Sequence, residues 1–208
     1  VLSGALPAGD GGHAIWLQVL HGAGWRRVAT ATATASGGFA ISWVTTSAGR
    51  LELRVVTEAG ATSTGTALVA ASLTTTSPAT LSVYRAVGAT WYGPGFYGHH
   101  TACGEVLTRM IVGVADRTLP CGTPVSLSYE GRTLTVPVID RGPYARGVTL
   151  DLTHAAAAEL GMTETSQIGM LTLDGPALTP TDWAPPGSGA TGATGPTSTA
   201  GGATAPTG

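Results

Sequence analysis

The stretch T-P-V-S-L-S-Y-E-G-R-T-L-T-V-P-V-I-D-R-G-P occupies residues 123–143. Apolar and polar residues alternate over 123–129 and again over 132–139, which is typical of two half-buried β-strands. Glu130-Gly131 between them is a strong turn signal, so the stretch predicts a β-hairpin. Because Pro137 has no amide proton to donate, we expect the second strand to lie at a sheet edge or to be bulged near its end.

The second strand of this hairpin ends at Asp140, which Arg141-Gly142-Pro143 follows. A carboxylate that leaves a strand at a rim is held by a fixed backbone, as catalytic groups need to be. An aspartate before Gly-Pro also serves simply to cap a turn. Asp151 ends another strand, and the same two interpretations apply to it.

One helix is predicted, over residues 155–160, because alanines dominate this segment. Thr153 is a suitable N-cap, and Gly161 is a suitable stop signal. Asp151 is a second candidate for the cap.

The first part of the chain consists of short alternating runs such as Ile15-Leu17-Val19, separated by glycine-containing turns. This pattern predicts antiparallel strands and a β-sandwich. The runs W-L-Q-V-L, G-W-R-R-V-A, S-G-G-F and L-R-V-V resemble immunoglobulin-like or fibronectin-type-III-like modules. Trp16, Trp25 and Trp43 are either core residues or a sugar-stacking face.

Three segments are predicted in this mainly β chain of 208 residues. We expect an immunoglobulin-like β-sandwich over 1–86 and a second domain over 87–175. The remainder, 176–208, is rich in Pro, Gly, Ala and Thr and is predicted to be disordered, because it has too little apolar surface to offset its chain entropy.

Charge and hydropathy exclude several classes of partner. The ten basic residues are scattered and the net charge is −2, so we expect no binding to nucleic acid. No apolar run is long enough to cross a membrane. The chain begins at Val1 without methionine, and we expect that a signal peptide has been removed.

Two cysteines, Cys103 and Cys121, allow a single pairing and lack metal-binding spacing. They form either a disulfide, which would imply an oxidising compartment, or two buried thiols. A bridge across this loop stabilises a fold by roughly 3 kcal/mol in the loop-entropy description.

The run W-Y-G-P-G-F-Y-G, residues 91–98, combines four aromatic residues with sharply turning backbone. Flat aromatic faces stack on sugar rings, although the same residues fold inward at a tight structural corner. Six residues are candidates for substrate binding: Trp91, Tyr92, Phe96, Tyr97, Arg141 and Tyr144.

Five motifs occur in order: W-Y-G-P-G-F-Y-G, T-A-C-G-E, R-T-L-P-C-G-T, V-I-D-R-G-P and D-L-T before the helix. Over about residues 89–174 they resemble the rare lipoprotein A family of the double-psi β-barrel superfamily, which also contains expansins. The resemblance implies a six-stranded barrel with an open polysaccharide groove, and septal lytic transglycosylases are its better-known members. Disulfide-bearing variants of the family support pairing of the cysteines.

Carried over by motif, the presumed catalytic aspartate of the family is Asp140, and the glutamate after T-A-x-G is Glu105. The third member, a histidine before R-T-L-P, is replaced by Asp116. If Asp116 faces Asp140, repulsion raises one pKa and creates a protonated acid. If the histidine is needed for proton exchange, the barrel only binds glycan. His99 or His100 is a further candidate to replace it.

The resemblance therefore implies a secreted, periplasmic or cell-wall protein that cleaves peptidoglycan glycan strands, with catalytic residues Asp140, Asp116 and Glu105. The alternative is a noncatalytic, expansin-like module that binds the same polymer. No cofactor is expected, and we expect a monomer. Adjacent histidines cannot easily bind one ion together, so no metal site is expected.

Overall fold

A computed structural model describes residues 1–7, 11–58 and 73–179 of the chain. The elements in these ranges are β1 (Leu2–Ala5), β2 (Ala14–His21), β3 (Gly24–Thr32), β4 (Gly38–Ile41), β5 (Gly49–Glu58), β6 (Leu73–Thr75), β7 (Ala79–Val83), β8 (Arg85–Tyr92), β9 (Val114–Ala115), β10 (Pro124–Tyr129), β11 (Arg132–Asp140), β12 (Leu150–Thr153), α1 (His154–Leu160) and β13 (Ser166–Thr172). The chain is mainly β, as predicted.

The first seven strands form two sheets. One contains β1 and β4, and the other has the order β3-β2-β5-β6 with β7 also paired to β5. The alternation in β2 has the predicted effect, because Ile15, Leu17 and Val19 are all buried on one face. Ile41 and Ala33 join this small core, with Trp43 packed against it. The two sheets are consistent with the expected β-sandwich, and its immunoglobulin-like character stays a prediction.

Trp16 and Trp25 are each covered by an arginine of another strand of the same sheet. The guanidinium carbon of Arg27 lies 4.1 Å from the ring centroid of Trp16, and that of Arg54 lies 4.2 Å from the ring of Trp25. Gln18 accepts a hydrogen bond from Nε of Arg54 at 2.8 Å. At least one face of each indole is therefore occupied by cation–π contact rather than free for a sugar.

The strands of the second part close into a six-stranded barrel in the order β10-β11-β9-β12-β8-β13, as predicted. β8 runs parallel to β12, and β9 runs parallel to β11, whereas the other pairs are antiparallel. One face of every barrel strand is apolar. These faces fill the interior with a single core that includes Val87, Ala89, Val114, Val125, Leu127, Val136, Val138, Leu150, Leu152, Ile168 and Met170.

The predicted hairpin is confirmed as β10 and β11, which pair from Pro124↔Pro137 to Tyr129↔Arg132. Its turn residues Glu130 and Gly131 have φ values of 47° and 79°, the left-handed pair that a tight hairpin turn requires. The predicted irregularity is also present, because the register of β11 against β9 shifts between Val138 and Asp140.

The predicted helix is confirmed as α1. The side chain of Thr153 accepts a hydrogen bond from the amide of Ala156, and Gly161 ends the helix at φ 83°. Ala156, Ala157 and Leu160 are buried, so the helix packs one face onto the barrel.

The barrel starts immediately after the first part of the chain, since only Tyr84 separates β7 from β8. Arg85 and Ala86, which the sequence assigns to the first domain, pair with Met170 and Gly169 of β13. The domain limits at 86 and 175 stay predictions. The predicted disorder over 176–208 falls, from residue 180 onward, outside the described residues. In the described ranges, no helix has the length and apolarity that a membrane crossing demands.

We expect residues 84–179 to fold without the preceding sheets, because the barrel has its own closed hydrogen-bond ladder and its own core. Calorimetry of this fragment should show one cooperative transition. An insoluble fragment, or one that melts without cooperativity while the full chain melts cooperatively, would contradict this expectation.

Gly88→Ala should destabilise the barrel. A Cβ at Gly88 would overlap the carbonyl oxygen of Gly147, a backbone atom that cannot yield easily. We expect a loss of at least about 2 kcal/mol, measured by denaturant unfolding of the full chain. Gly175→Ala is the matched control, since nothing lies within 4 Å of the added atom there. Equal stability of the two variants would disprove the close approach.

Candidate functional site

An open cavity of about 440 Å³ lies on the outside of the barrel wall. Its floor comes from strand ends and its sides come from the loops that follow β8 and β11. The lining residues are Thr90, Tyr92, Phe96, His99, His100, Thr101, Leu107, Ala115, Asp140, Arg141, Gly142, Pro143, Tyr144, Ala145 and Asp151.

Four adjacent strands bring two carboxylates into this cavity. Ala115 of β9 pairs with Asp140 of β11 on one side and with Asp151 of β12 on the other. Asp151 in turn pairs with Thr90 of β8. Partners in a ladder point to the same face of a sheet, and Val114 and Leu152 on the opposite face fill the core. Asp140 and Asp151 therefore flank the small side chain of Ala115.

Three donors orient Asp140. Its Oδ1 accepts hydrogen bonds from the backbone amides of Ala102 and Arg141, both at 2.8 Å. Its Oδ2 accepts from the hydroxyl of Tyr92 at 3.3 Å. Each donor comes from a different segment, so the carboxylate is held from both sides of the cavity.

Tyr92 is a hydrogen-bond donor in this site. Burial raises the pKa of its hydroxyl far above the ordinary value, and the charge of Asp140, the hydrogen bond to Asp140 and the charge of Asp151 add to this effect. The phenol therefore keeps its proton at any physiological pH. Tyr92 thus directs a neutral O–H at Asp140, in addition to any stacking role.

The surroundings of Asp151 raise the pKa of its carboxyl. Burial raises its pKa, the hydrogen bond from Thr90 Oγ1 at 2.7 Å lowers it, and the nearby charge of Asp140 raises it further. The net direction is upward. Desolvation next to a like charge is the setting in which a carboxyl holds a proton at higher pH than usual.

A disulfide joins Cys103 and Cys121, as predicted. It connects the T-A-C-G-E loop to the end of the R-T-L-P turn. Arg141 lies beside it, with Nη2 donating to Sγ of Cys121 at 3.3 Å and Nη1 donating to the carbonyl of Leu119 at 2.9 Å. Arg141 was predicted to bind substrate. It lines the cavity, but these contacts of its guanidinium are with protein.

Asp116 is buried, and its carboxylate accepts hydrogen bonds from the two residues that follow Arg117. Oδ1 accepts from the amides of Thr118 and Leu119, both at 2.8 Å, and from Thr118 Oγ1 at 3.2 Å. Asp116 is not among the cavity-lining residues. The acidic neighbour that Asp140 has in the cavity is Asp151.

Glu105 also stays outside the set of lining residues. Its backbone closes the T-A-C-G-E loop, because its carbonyl accepts from the amide of Thr101 at 2.7 Å and its amide donates to Thr101 Oγ1 at 3.2 Å. The loop that presents the amide of Ala102 to Asp140 is thereby fixed at both ends.

The predicted aromatic residues divide into two groups. Phe96 and Tyr144 line the cavity and are 58% and 79% exposed, so their faces are available to a ligand. Trp91 instead packs edge-on against His154 with centroids 5.2 Å apart, and Tyr97 lies under the guanidinium of Arg109. Neither of these two lines the cavity.

His99 and His100 are exposed at the cavity, and Nδ1 of His100 lies 3.0 Å from the carbonyl oxygen of Gly104. Within residues 1–7, 11–58 and 73–179, no three His, Cys, Asp or Glu side chains are grouped as a metal ion requires.

Sequence reasoning missed two parts of this site. It did not identify Thr90, the donor to Asp151, or the amide of Ala102, the donor to Asp140. It left the role of Asp151 open. The sequence shows that Thr90 lies in a T-W-Y strand end and Asp151 in a D-L-T strand end. That these two residues meet is shown by the pairing of β8 with β12.

The raised pKa of Asp151 predicts how stability depends on pH. A group with a raised pKa in the folded state stabilises the fold most at pH below its ordinary value of 3.8, and this contribution is lost as the pH rises through the raised value. Asp151→Asn should therefore raise the melting temperature at pH 7, and the gain should shrink as the pH falls toward 4. Exposed Asp174→Asn is the control. A gain that is independent of pH would contradict the burial argument.

Comparisons with known proteins concern the barrel. The lytic transglycolase family model matches residues 84–172. The probable endolytic peptidoglycan transglycosylase RlpA of Aquifex aeolicus is 46% identical over 76 residues, covering 36% of this chain and 34% of that protein. Its counterpart in Synechocystis sp., also named as probable, is 41% identical over 88 residues, covering 41% of this chain and 27% of that protein.

The chain thus spans about a third or less of the length of these relatives. Among solved structures, the Streptomyces papain inhibitor matches with 28% identity over 42% of this chain and 94% of its own, at a TM-score of 0.32. The family match covers every strand of the closed six-stranded barrel. Residues 84–172, which form the closed six-stranded barrel, are thus the part of the chain that matches the lytic transglycolase family.

Proposed function

We propose that the barrel binds peptidoglycan glycan strands and cleaves them as a lytic transglycosylase, with Asp140 as general acid and base. The observation that carries this proposal is the pair of carboxylates, Asp140 and Asp151, in an open groove. The family of the barrel and the names of its relatives, endolytic peptidoglycan transglycosylases, supply the reaction class.

The reaction breaks the bond between the anomeric carbon of a muramyl residue and the oxygen of the next sugar. A carboxyl group first gives its proton to that leaving oxygen. The carboxylate then takes the proton of the muramyl 6-hydroxyl, whose oxygen bonds to the anomeric carbon. The products are a 1,6-anhydromuramyl end and a free hydroxyl end, and no water is consumed.

Three donors fix the orientation of Asp140 at the cavity wall, which suits it to both proton transfers. Asp151 is its electrostatic partner. Two nearby carboxyls that repel each other share protons as a pair, so that one stays protonated at a pH where an isolated carboxyl would be ionised. Burial is the main cause of the raised pKa of Asp151, and the charge of Asp140 adds to it.

Exposed aromatic faces would hold the sugar rings. Phe96 and Tyr144 stand at the cavity and offer stacking surfaces for successive sugars. Trp91 and Tyr97 do not line the cavity, so they would contact the glycan only beyond it. Arg141 would act on the substrate through the position of Asp140 rather than by direct contact.

Glu105 and Asp116, the other two residues that the family resemblance assigns to catalysis, are proposed to act through their loops. The carboxylate of Asp116 accepts backbone amides of its own loop, Glu105 bonds to Thr101 through its own backbone, and both residues stand outside the lining of the cavity. Their effect on the reaction is then on the placement of Asp140.

A noncatalytic wall-binding module, like the expansins, is the second candidate. It is favoured by the replacement of the family histidine by Asp116, which has no imidazole to exchange protons and whose Oδ1 is occupied by its own turn. In this case the same groove would bind glycan without cleaving it. His99 and His100 at the cavity are the residues that would decide whether an imidazole is missing.

The proposed substrate lies in the cell wall, and a disulfide persists in oxidising compartments. Both support a secreted or periplasmic location. We propose that the protein acts there as a monomer.

Asp140→Asn should abolish the release of 1,6-anhydromuramyl fragments from denuded peptidoglycan, measured by mass spectrometry. Asn keeps the size and the acceptor oxygen of Asp but cannot transfer a proton, so we expect a loss of at least roughly 100-fold. Binding to wall sacs should persist. Asp174→Asn, at an exposed position outside the cavity, should cleave like the parent.

Three outcomes decide between the candidates. Cleavage by the parent and not by Asp140→Asn supports the transglycosylase. Retained binding to sacs without any anhydro product, at every pH tested, identifies the binding module. A parent that neither binds nor cleaves glycan rules out both.

A further inference from the structure

Two loops meet at the end of β11, and the disulfide ties them together. The T-A-C-G-E loop reaches β11 through the amide of Cys103, which donates to the carbonyl of Ile139 at 3.3 Å. The R-T-L-P turn reaches it through the amide of Asp116, which donates to the carbonyl of Asp140 at 3.2 Å. The Cys103–Cys121 bond crosses from one loop to the other at this point.

Arg141 makes the second connection. It follows Asp140 directly, and its guanidinium donates to the carbonyls of Asp116 and Leu119 and to Sγ of Cys121. Arg141 therefore links the turn and the disulfide to the end of β11, where the proposed acid Asp140 lies. The turn itself is held in shape by Asp116, whose Oδ1 accepts two amides.

The functional consequence concerns the amide of Ala102. This residue immediately precedes Cys103, is exposed, and donates to Oδ1 of Asp140 at 2.8 Å. An exposed amide bonds to water when its loop moves away, so the contact depends on what holds the loop against β11. The disulfide is a covalent cross-link between this loop and the R-T-L-P turn, and a chain with two cysteines can form no second one.

We propose that the Cys103–Cys121 disulfide, Arg141 and Asp116 form a positioning clamp that holds the amide of Ala102 on Asp140. The clamp sets the orientation of the carboxylate and so its ability to transfer protons. Asp116 contributes through its acceptor oxygen rather than through its charge. The inference deepens the proposed function and rests on it for the role of Asp140.

The test uses the full chain with four sequences: the parent, Cys103→Ala with Cys121→Ala, Asp116→Ala and Asp116→Asn. The double cysteine variant removes the tether without leaving a free thiol. Asp116→Ala removes the acceptor of the turn but keeps the disulfide. Asp116→Asn keeps the acceptor and removes the charge, so it distinguishes the two properties of Asp116.

Hydrogen exchange followed by NMR reports the contact directly. We expect exchange of the Ala102 amide to accelerate at least tenfold in the double cysteine variant and in Asp116→Ala. The amide of Leu107, which donates to His99 at the base of the same loop, should keep its protection. Asp116→Asn should restore the protection of Ala102 to within about twofold of the parent.

Cleavage of denuded glycan strands reports the consequence. In the double cysteine variant and in Asp116→Ala, kcat should fall at least tenfold with KM within about twofold, and the shape of the pH–rate profile should change. Asp116→Asn should recover kcat. A simple loss of stability would lower the amount of folded protein without changing the pH profile.

The clamp is overturned if the Ala102 amide exchanges at the parental rate without the disulfide, or if Asp116→Asn behaves like Asp116→Ala. It is also overturned if kcat and the pH profile of the double cysteine variant match an active parent. If the parent does not cleave glycan, the proposed function fails, and the exchange rates of Ala102 still decide whether the clamp exists.

Discussion

The pairing of Ala115 with both Asp140 and Asp151 is the contact on which the site depends. β9 has only two residues, yet it separates the two strands that carry the carboxylates. One face of this strand must fill the barrel core, which Val114 does. The other must leave room between two acids, which only a small side chain allows. The chemistry of the groove is therefore a consequence of how the barrel closes.

Local patterns predicted the elements that depend on neighbouring residues alone. The hairpin follows from alternation on either side of Glu130-Gly131, and the helix follows from Thr153, the alanines and Gly161. The closed barrel came from resemblance rather than from periodicity. A two-residue strand such as β9 has no period to detect, so the meeting of Asp140 and Asp151 was beyond sequence reasoning.

Asp116 shows what a motif position leaves open. The family pattern assigned it to the catalytic set because it occupies the position of a histidine. Its short side chain instead accepts the amides two and three residues ahead, the local contact that aspartate makes in turns. A histidine ring cannot make this double contact from the same atom, so the substitution changes the turn as well as the charge.

The short connection at Tyr84 has a mechanical consequence. β7 ends at Val83 and β8 begins at Arg85, so the first sheets join the strand that carries Thr90 and Tyr92 with no slack. β13 pairs with residues 85–89 of β8, and β12 pairs with residues 89–92. A force applied to β8 at its first residue and directed along the strand would load these ladders in shear, and their hydrogen bonds would bear it together. Such a force would reach the groove as strain along the one strand that carries Thr90 and Tyr92.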